Sequence, residues 1–288
     1  MDLTVLGGAV TIALASASLF LVAVKSWTAV TDSGTRTRFP DSIMQEAAQR
    51  FRDEYDRAGR EQATYLVTTL VFAVVFFISY LLPPAGLFDN VPRWQMILAL
   101  LLLALGAGFV IFKLSSTIVA RRRLLFIRDA SMATGHALQK LTANRNRVFH
   151  DVPCSAGTID NVIVGLHGVY TVSVIALKPG KDNRARLKGD QLGFASAKET
   201  VSVARSGEKT ARLAKEIRKV TGHDIRVRPV IALPGWEVDS QESADYLVVN
   251  ERNIAMLTGW KDQKDYLMNE DVEAIQKLLT KRCIRFRQ

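Results

Sequence analysis

The sequence predicts a membrane α-helical anchor followed by an α/β domain, a mixed sheet flanked by helices. Three observations predict it. Uncharged, mostly apolar runs crowd the first 120 of the 288 residues: Leu3–Val24, Ala63–Leu82 and Met96–Phe112. From residue 121 onward, β-branched stretches alternate with amphipathic helical ones. Charge divides at the same place. Residues 1–120 hold nine Lys/Arg and nine Asp/Glu, and residues 121–288 hold 29 against 19, so the second part carries the whole formal excess of +10.

A hydrocarbon core about 30 Å thick takes about 20 helical residues, so each of the three runs is a candidate span, with Lys113 able to snorkel from the end of the third. Leu3–Val24 lacks a basic leader, which favours an uncleaved span although Ala15-Ser16-Ala17 resembles a cleavage site. Seven Lys/Arg in 25–62 and Arg121–Arg123 after the third run, against Arg93 alone in 83–95, orient the chain as a multi-pass membrane protein. The amino terminus then faces outside, and residues 121–288 are cytoplasmic. Within the 25–62 loop, Asp41–Gln62 reads as a helix capped by Asp41 and Ser42, with Ile43, Ala47, Phe51 and Tyr55 on one face. It is either a solvated helix packing on its neighbours or one lying on the bilayer. Ala9, Ala13 and Ala17, and Ala104 and Gly108, allow close helix packing, within one chain or between copies.

In the second part, Leu124–Leu141 reads as a helix and Val148–Val152 as a strand. Gly157–Gly180 follows as two strands around a Gly165–Gly168 turn. Lys178–Leu192 is a polar hairpin, basic at its tip. Ala197–Val220 reads as one long helix, weakened at Gly207 by about 1 kcal/mol relative to Ala. Strands at Val227–Leu233 and Tyr246–Val249 and a helix at Glu270–Cys283 complete the pattern. Asp160, at the start of the first central strand, is either a metal ligand or a strand-edge residue facing water. Cys154 and Cys283 sit in no CxxC or Cys/His cluster, so no structural metal is indicated.

Four pieces in this order and spacing, RVFHDVPC (Arg147–Cys154), GTIDNVIVG, GVYTVSV and VRPVIALPG, together with the helix before the last, resemble the nuclease-related domain (NERD) family. That family is a branch of the PD-(D/E)xK, restriction-endonuclease-like superfamily. The resemblance covers roughly residues 128–260 and implies a mixed sheet flanked by helices with a Mg²⁺-dependent nuclease site. It also exposes departures. Gly135 is followed by His136 where the family has Glu, and Ser173 and Ile175 stand where it has Glu-x-Lys. Only Asp160 remains of the catalytic set. His136 is a polar residue at the sheet edge or a metal ligand. One carboxylate cannot hold an ion that takes six oxygens, so the site is degenerate unless ligands have migrated to Glu199, Glu208 or Lys178.

The basic excess implies an anionic partner, nucleic acid or the anionic leaflet. Arg121–Arg123 fits the leaflet. The cluster Lys181, Arg184, Arg186, Lys188, Lys198, Arg205, Lys209, Arg212, Lys215 and Arg218 fits nucleic acid, a protein partner or a solvated face. The leading expectation is a membrane-anchored protein that binds nucleic acid without cleaving it and needs no cofactor. The alternatives are a Mg²⁺-dependent nuclease with migrated residues, and a membrane scaffold whose fold binds protein.

Overall fold

The structure, a computed structural model, describes residues 42–81, 93–144, 146–243, 245–258 and 266–286. The chain divides into two compact units, Met1–Phe39 with Glu54–Arg123, and Pro40–Asp53 with Leu124–Gln288.

The first unit is built from the larger part of α1 (Gln49–Leu81) and the first part of α2 (Arg93–Gln139). The two helices meet at Arg121, whose guanidinium donates to Gln62 Oε1 at 2.9 Å and lies 4.4 Å over the Tyr55 ring. Arg121, expected at a lipid leaflet, is thus engaged in helix packing.

The membrane expectation is corrected here. No helix among the described residues is long and apolar enough to cross a membrane. Ala63–Leu82 includes Thr64, Tyr65, Thr68 and Thr69, and the Thr68 hydroxyl turns back onto the Thr64 carbonyl at 2.8 Å. Met96–Phe112 is 17 residues, short of the roughly 20 a span takes, and leads through Lys113 into Ser115, Ser116 and Thr117. The multi-pass anchor, the outside amino terminus and the cytoplasmic placement of residues 121–288 fall with it. Leu3–Val24 lies outside the described residues.

The second unit is α/β. A five-stranded mixed sheet runs in the order β10-β8-β4-β3-β2, from β2 (Arg147–Cys154), β3 (Gly157–Gly165), β4 (Gly168–Val174), β8 (Val227–Ala232) and β10 (Leu247–Val249). Its β2, β3 and β4 are antiparallel, and β8 and β10 add in parallel. On one face, Phe149, Val162 and Val164 pack under Leu213 and Ile217 of α3 (Ala204–Thr221) and Ile275 and Leu279 of α4 (Asn269–Cys283). On the other, Ile163, Val172 and Val230 meet Leu138, Leu141, Ile254 and Leu257.

A second, four-stranded sheet has the order β7-β6-β5-β9, from β5 (Arg184–Lys188), β6 (Gln191–Phe194), β7 (Ala197–Ser202) and β9 (Glu237–Gln241). Its inward side chains Ala185, Leu187, Leu192 and Phe194 share a core with Ile231, Leu233 and the fully buried Trp236, whose Nε1 donates to the Leu177 carbonyl at 2.8 Å.

Two element boundaries differ from the sequence expectation. Ala197–Val220 is not one helix: AKETVS forms β7 against β6, and α3 begins at Ala204. Asp41–Gln62 is not one helix either. Ser42–Met44 is a strand, β1, paired with β11 (Ile284–Phe286), and α1 starts only after Ala48 has turned the chain at φ 60°. Asp41 lies outside the described residues.

Candidate functional site

The end of the β3–β4 ladder sets the site. The two strands pair from Gly165↔Gly168 to Asn161↔Val172 and then part, since Ser173 and Val174 pair only with β8. Asp160 stands at that fork. Its Oδ2 accepts the Val174 N–H at 2.9 Å, satisfying a backbone donor that the ladder no longer reaches. Its Oδ1 takes the Arg50 guanidinium at 3.3 Å. Arg50, from the first turn of α1, also donates its backbone N–H to Asp151 Oδ2 at 3.1 Å. One residue therefore bridges two carboxylates on neighbouring strands.

Asp151 is buried, with φ at 49°. Burial pushes both Asp151 and Asp160 above the usual aspartate value, against the opposing pull of the Arg50 hydrogen bond and charge on Asp151, and of the Val174 hydrogen bond and Arg50 charge on Asp160. Lys209 of α3 adds a second positive charge beside Asp160 while donating Nζ to the Thr158 carbonyl at 2.7 Å. Sequence reasoning missed Arg50, Asp151 and Lys209 as members of this cluster. Arg50 carries no motif, and its approach depends on Gly135. A Cβ there would stand 2.4 Å from the Ala47 side chain, so only glycine lets this stretch pass so close to α2.

Two of the three other positions that the family resemblance marks are also engaged. Ser173 Oγ pairs with Ser206 Oγ of α3 at 2.7 Å, and two residues earlier on the same strand Thr171 Oγ1 pairs with Thr210 Oγ1 at 2.6 Å. Ile175 packs against the core shared with the second sheet. His136 is exposed near the end of α2. Of the residues considered as migrated ligands, Glu208 is exposed on α3, Lys178 is exposed beyond β4, and Glu199 lies on β7 of the second sheet. A divalent ion does not fit this donor set. Asp160 offers two oxygens, both committed, with Arg50 and Lys209 opposing any further positive charge. Among the described residues no group of three His, Cys, Asp or Glu could hold a metal.

The basic residues divide into two kinds. Some are tied to carboxylates. Arg184 donates Nε and Nη2 to Asp182 at 2.9 and 2.8 Å, Arg186 Nε reaches Asp239 at 2.7 Å, and Arg218 stands 3.8 Å from Asp224. Lys181, Lys188, Arg205, Arg212 and Lys215 are exposed and make no ion pair among the described residues. Arg205, Arg212 and Lys215 share one stripe of α3, opposite the buried Ser206, Thr210, Leu213 and Ile217. Lys198, expected on the helix, lies on β7.

No family model, no curated protein and no solved structure matches the chain.

Proposed function

We propose that the chain binds nucleic acid through its phosphates and does not hydrolyse it. The observation that carries the reading is the closure of the Asp160 fork. Both carboxylate oxygens are taken by Arg50 and the Val174 amide, and Ser173 is taken by Ser206. A Mg²⁺-dependent hydrolase needs a Lewis acid on the phosphate and a metal-bound water, and these residues provide neither. The resemblance to the NERD family supports a nucleic-acid partner, and the charge supports it independently. Arg205, Arg212 and Lys215 form an exposed stripe on α3 in which Glu208 is the one acid, so the stripe keeps a positive excess, with Lys181 and Lys188 also exposed. Phosphate contacts of this kind carry affinity without sequence preference.

The test is a titration of the full chain against labelled DNA of two unrelated sequences at two salt concentrations. Binding should be equal for both sequences and should weaken steeply with salt. Charge reversal at Arg205, Arg212 and Lys215 should weaken both and lower the salt slope by about one for each phosphate that is no longer neutralised. A folded chain that binds neither DNA nor RNA at low salt overturns the reading.

A further inference from the structure

On the outward face of the four-stranded sheet, one position carries no side chain. The alternation in β5 turns Ala185 and Leu187 into the core and Arg184, Arg186 and Lys188 out. In β6, Leu192 and Phe194 point inward, leaving Gly193 in the outward row, in register with Arg186 on one side and Thr200 on the other. With only a hydrogen at 193, the face holds a depression of about 310 Å³. Arg184, Arg186, Gly193, Phe194 and Ala195 line it, Phe194 with its ring turned away into the core.

The backbone does not require glycine here. Gly193 is not among the positive-φ residues, and a Cβ would meet only the Arg186 carbonyl oxygen, at an ordinary 3.9 Å. A glycine inside a strand forgoes side-chain packing and marks either a bulge, and the β6–β7 register does shift between Gly193 and Phe194, or a place that another group approaches closely. The walls have the matching chemistry. Asp182 takes two donors of Arg184, and Asp239 takes Nε and Nη2 of Arg186. Each carboxylate occupies one edge of its guanidinium and fixes the plane, which leaves the flat faces available. Guanidinium faces stack on aromatic rings, nucleobases included.

We infer that this depression receives one unstacked base of a single-stranded nucleic acid. The inference rests on the nucleic-acid reading above and adds a preference to it. Duplex bases are stacked and cannot enter. Lys188, farther along the same outward row, lies where it can meet a neighbouring phosphate.

The experiment measures affinity of the full chain for labelled dT20, rU20 and a 20-base-pair duplex, for the wild type and two variants. Gly193→Val fills the depression with a residue suited to a strand, and Arg186→Lys keeps the charge while removing the planar face. The wild type should prefer a single strand to the duplex by about tenfold, the scale of one stacked base. Whichever of dT20 and rU20 is bound, both variants should lose about tenfold on it. Their duplex affinity should change less than twofold and their thermal midpoints should match the wild type. Equal wild-type affinity for single strand and duplex overturns the inference and leaves the phosphate reading intact. So does undiminished single-strand affinity in a folded Gly193→Val or, should that variant not fold, in Arg186→Lys. Absence of all binding at low salt overturns both.

Discussion

The two sheets of the second unit use their polar residues in opposite ways. In the five-stranded sheet they are spent on one another: Asp160 on Arg50 and Val174, Ser173 on Ser206, Thr171 on Thr210, and His150 Nδ1 on Asn161 Oδ1 at 2.6 Å. Most of these groups are buried or half-buried, so each partner supports the fold. In the four-stranded sheet the charged groups stand outside, and their ion pairs orient side chains at little energetic consequence. A residue pattern that reads as chemistry can therefore be architecture, while the surface proposed to meet a ligand carries no motif.

The strongest way to break this contrast is Asp160→Ala. As a structural acceptor, Asp160 should cost about 2 kcal/mol when truncated, because Val174 N–H and Arg50 are both left without their partner. Were Asp160 a ligand kept for function, its removal would leave stability unchanged or raised, as at sites where activity is held at the expense of stability. Chemical denaturation decides between the two.

A smaller effect is expected at Gly207, where the sequence shows only a weakened helix. A Cβ there would stand 2.4 Å from Tyr246 Oη. Gly207→Ala should therefore destabilise by about 1 kcal/mol despite its better helix propensity, the overpacking outweighing the gain. In a Tyr246→Phe background the penalty should shrink, which a double-mutant cycle reads directly.

The pH dependence separates the sheets further. Burial holds Asp151 and Asp160 above the ordinary value of 3.8, so the folded state binds their protons more tightly than the unfolded chain does. Their contribution to stability is then largest at low pH and falls as pH rises from 3.8 through the folded values. Asp160→Asn should flatten that part of the stability profile. Asp239→Asn, on the exposed sheet, should leave stability within about 0.5 kcal/mol of wild type. The smallest readout is thiol reactivity. Cys283 is buried, and burial followed by the nearby Asp151 pushes its thiol up to about 11, whereas Cys154 is half-buried at the end of β2. One thiol should react with a maleimide in the native state, and the second only on unfolding.

Much of the second unit is legible in the sequence because its signals are local. The β-branched runs around Gly168 form β3 and β4, and Val227–Leu233 and Glu270–Cys283 are a strand and a helix close to the expected ends. Ala197–Ser202 misleads because Lys198, Glu199, Val201 and Ala204 also fit one helical pattern, and only pairing with β6 decides for a strand. The spans mislead because an uncharged run does not by itself make a helix that crosses a membrane. Asp160 stands out in the sequence as a position, but its state depends on Arg50, 110 residues away in sequence, which no spacing connects to it. The depression over Gly193 is equally hidden, since only the register of β5 and β6 puts Arg186 opposite it.

The central claim is binding without cleavage, and one assay reads both halves of it. Supercoiled plasmid is incubated with the full chain and Mg²⁺ or Mn²⁺ at low salt, then resolved with and without removal of the protein. The account predicts a retarded band that returns to intact supercoiled plasmid once the protein is removed, the same for wild type and for a folded Asp160→Asn. Metal-dependent nicking that Asp160→Asn abolishes would contradict it and would make Asp160 a working ligand.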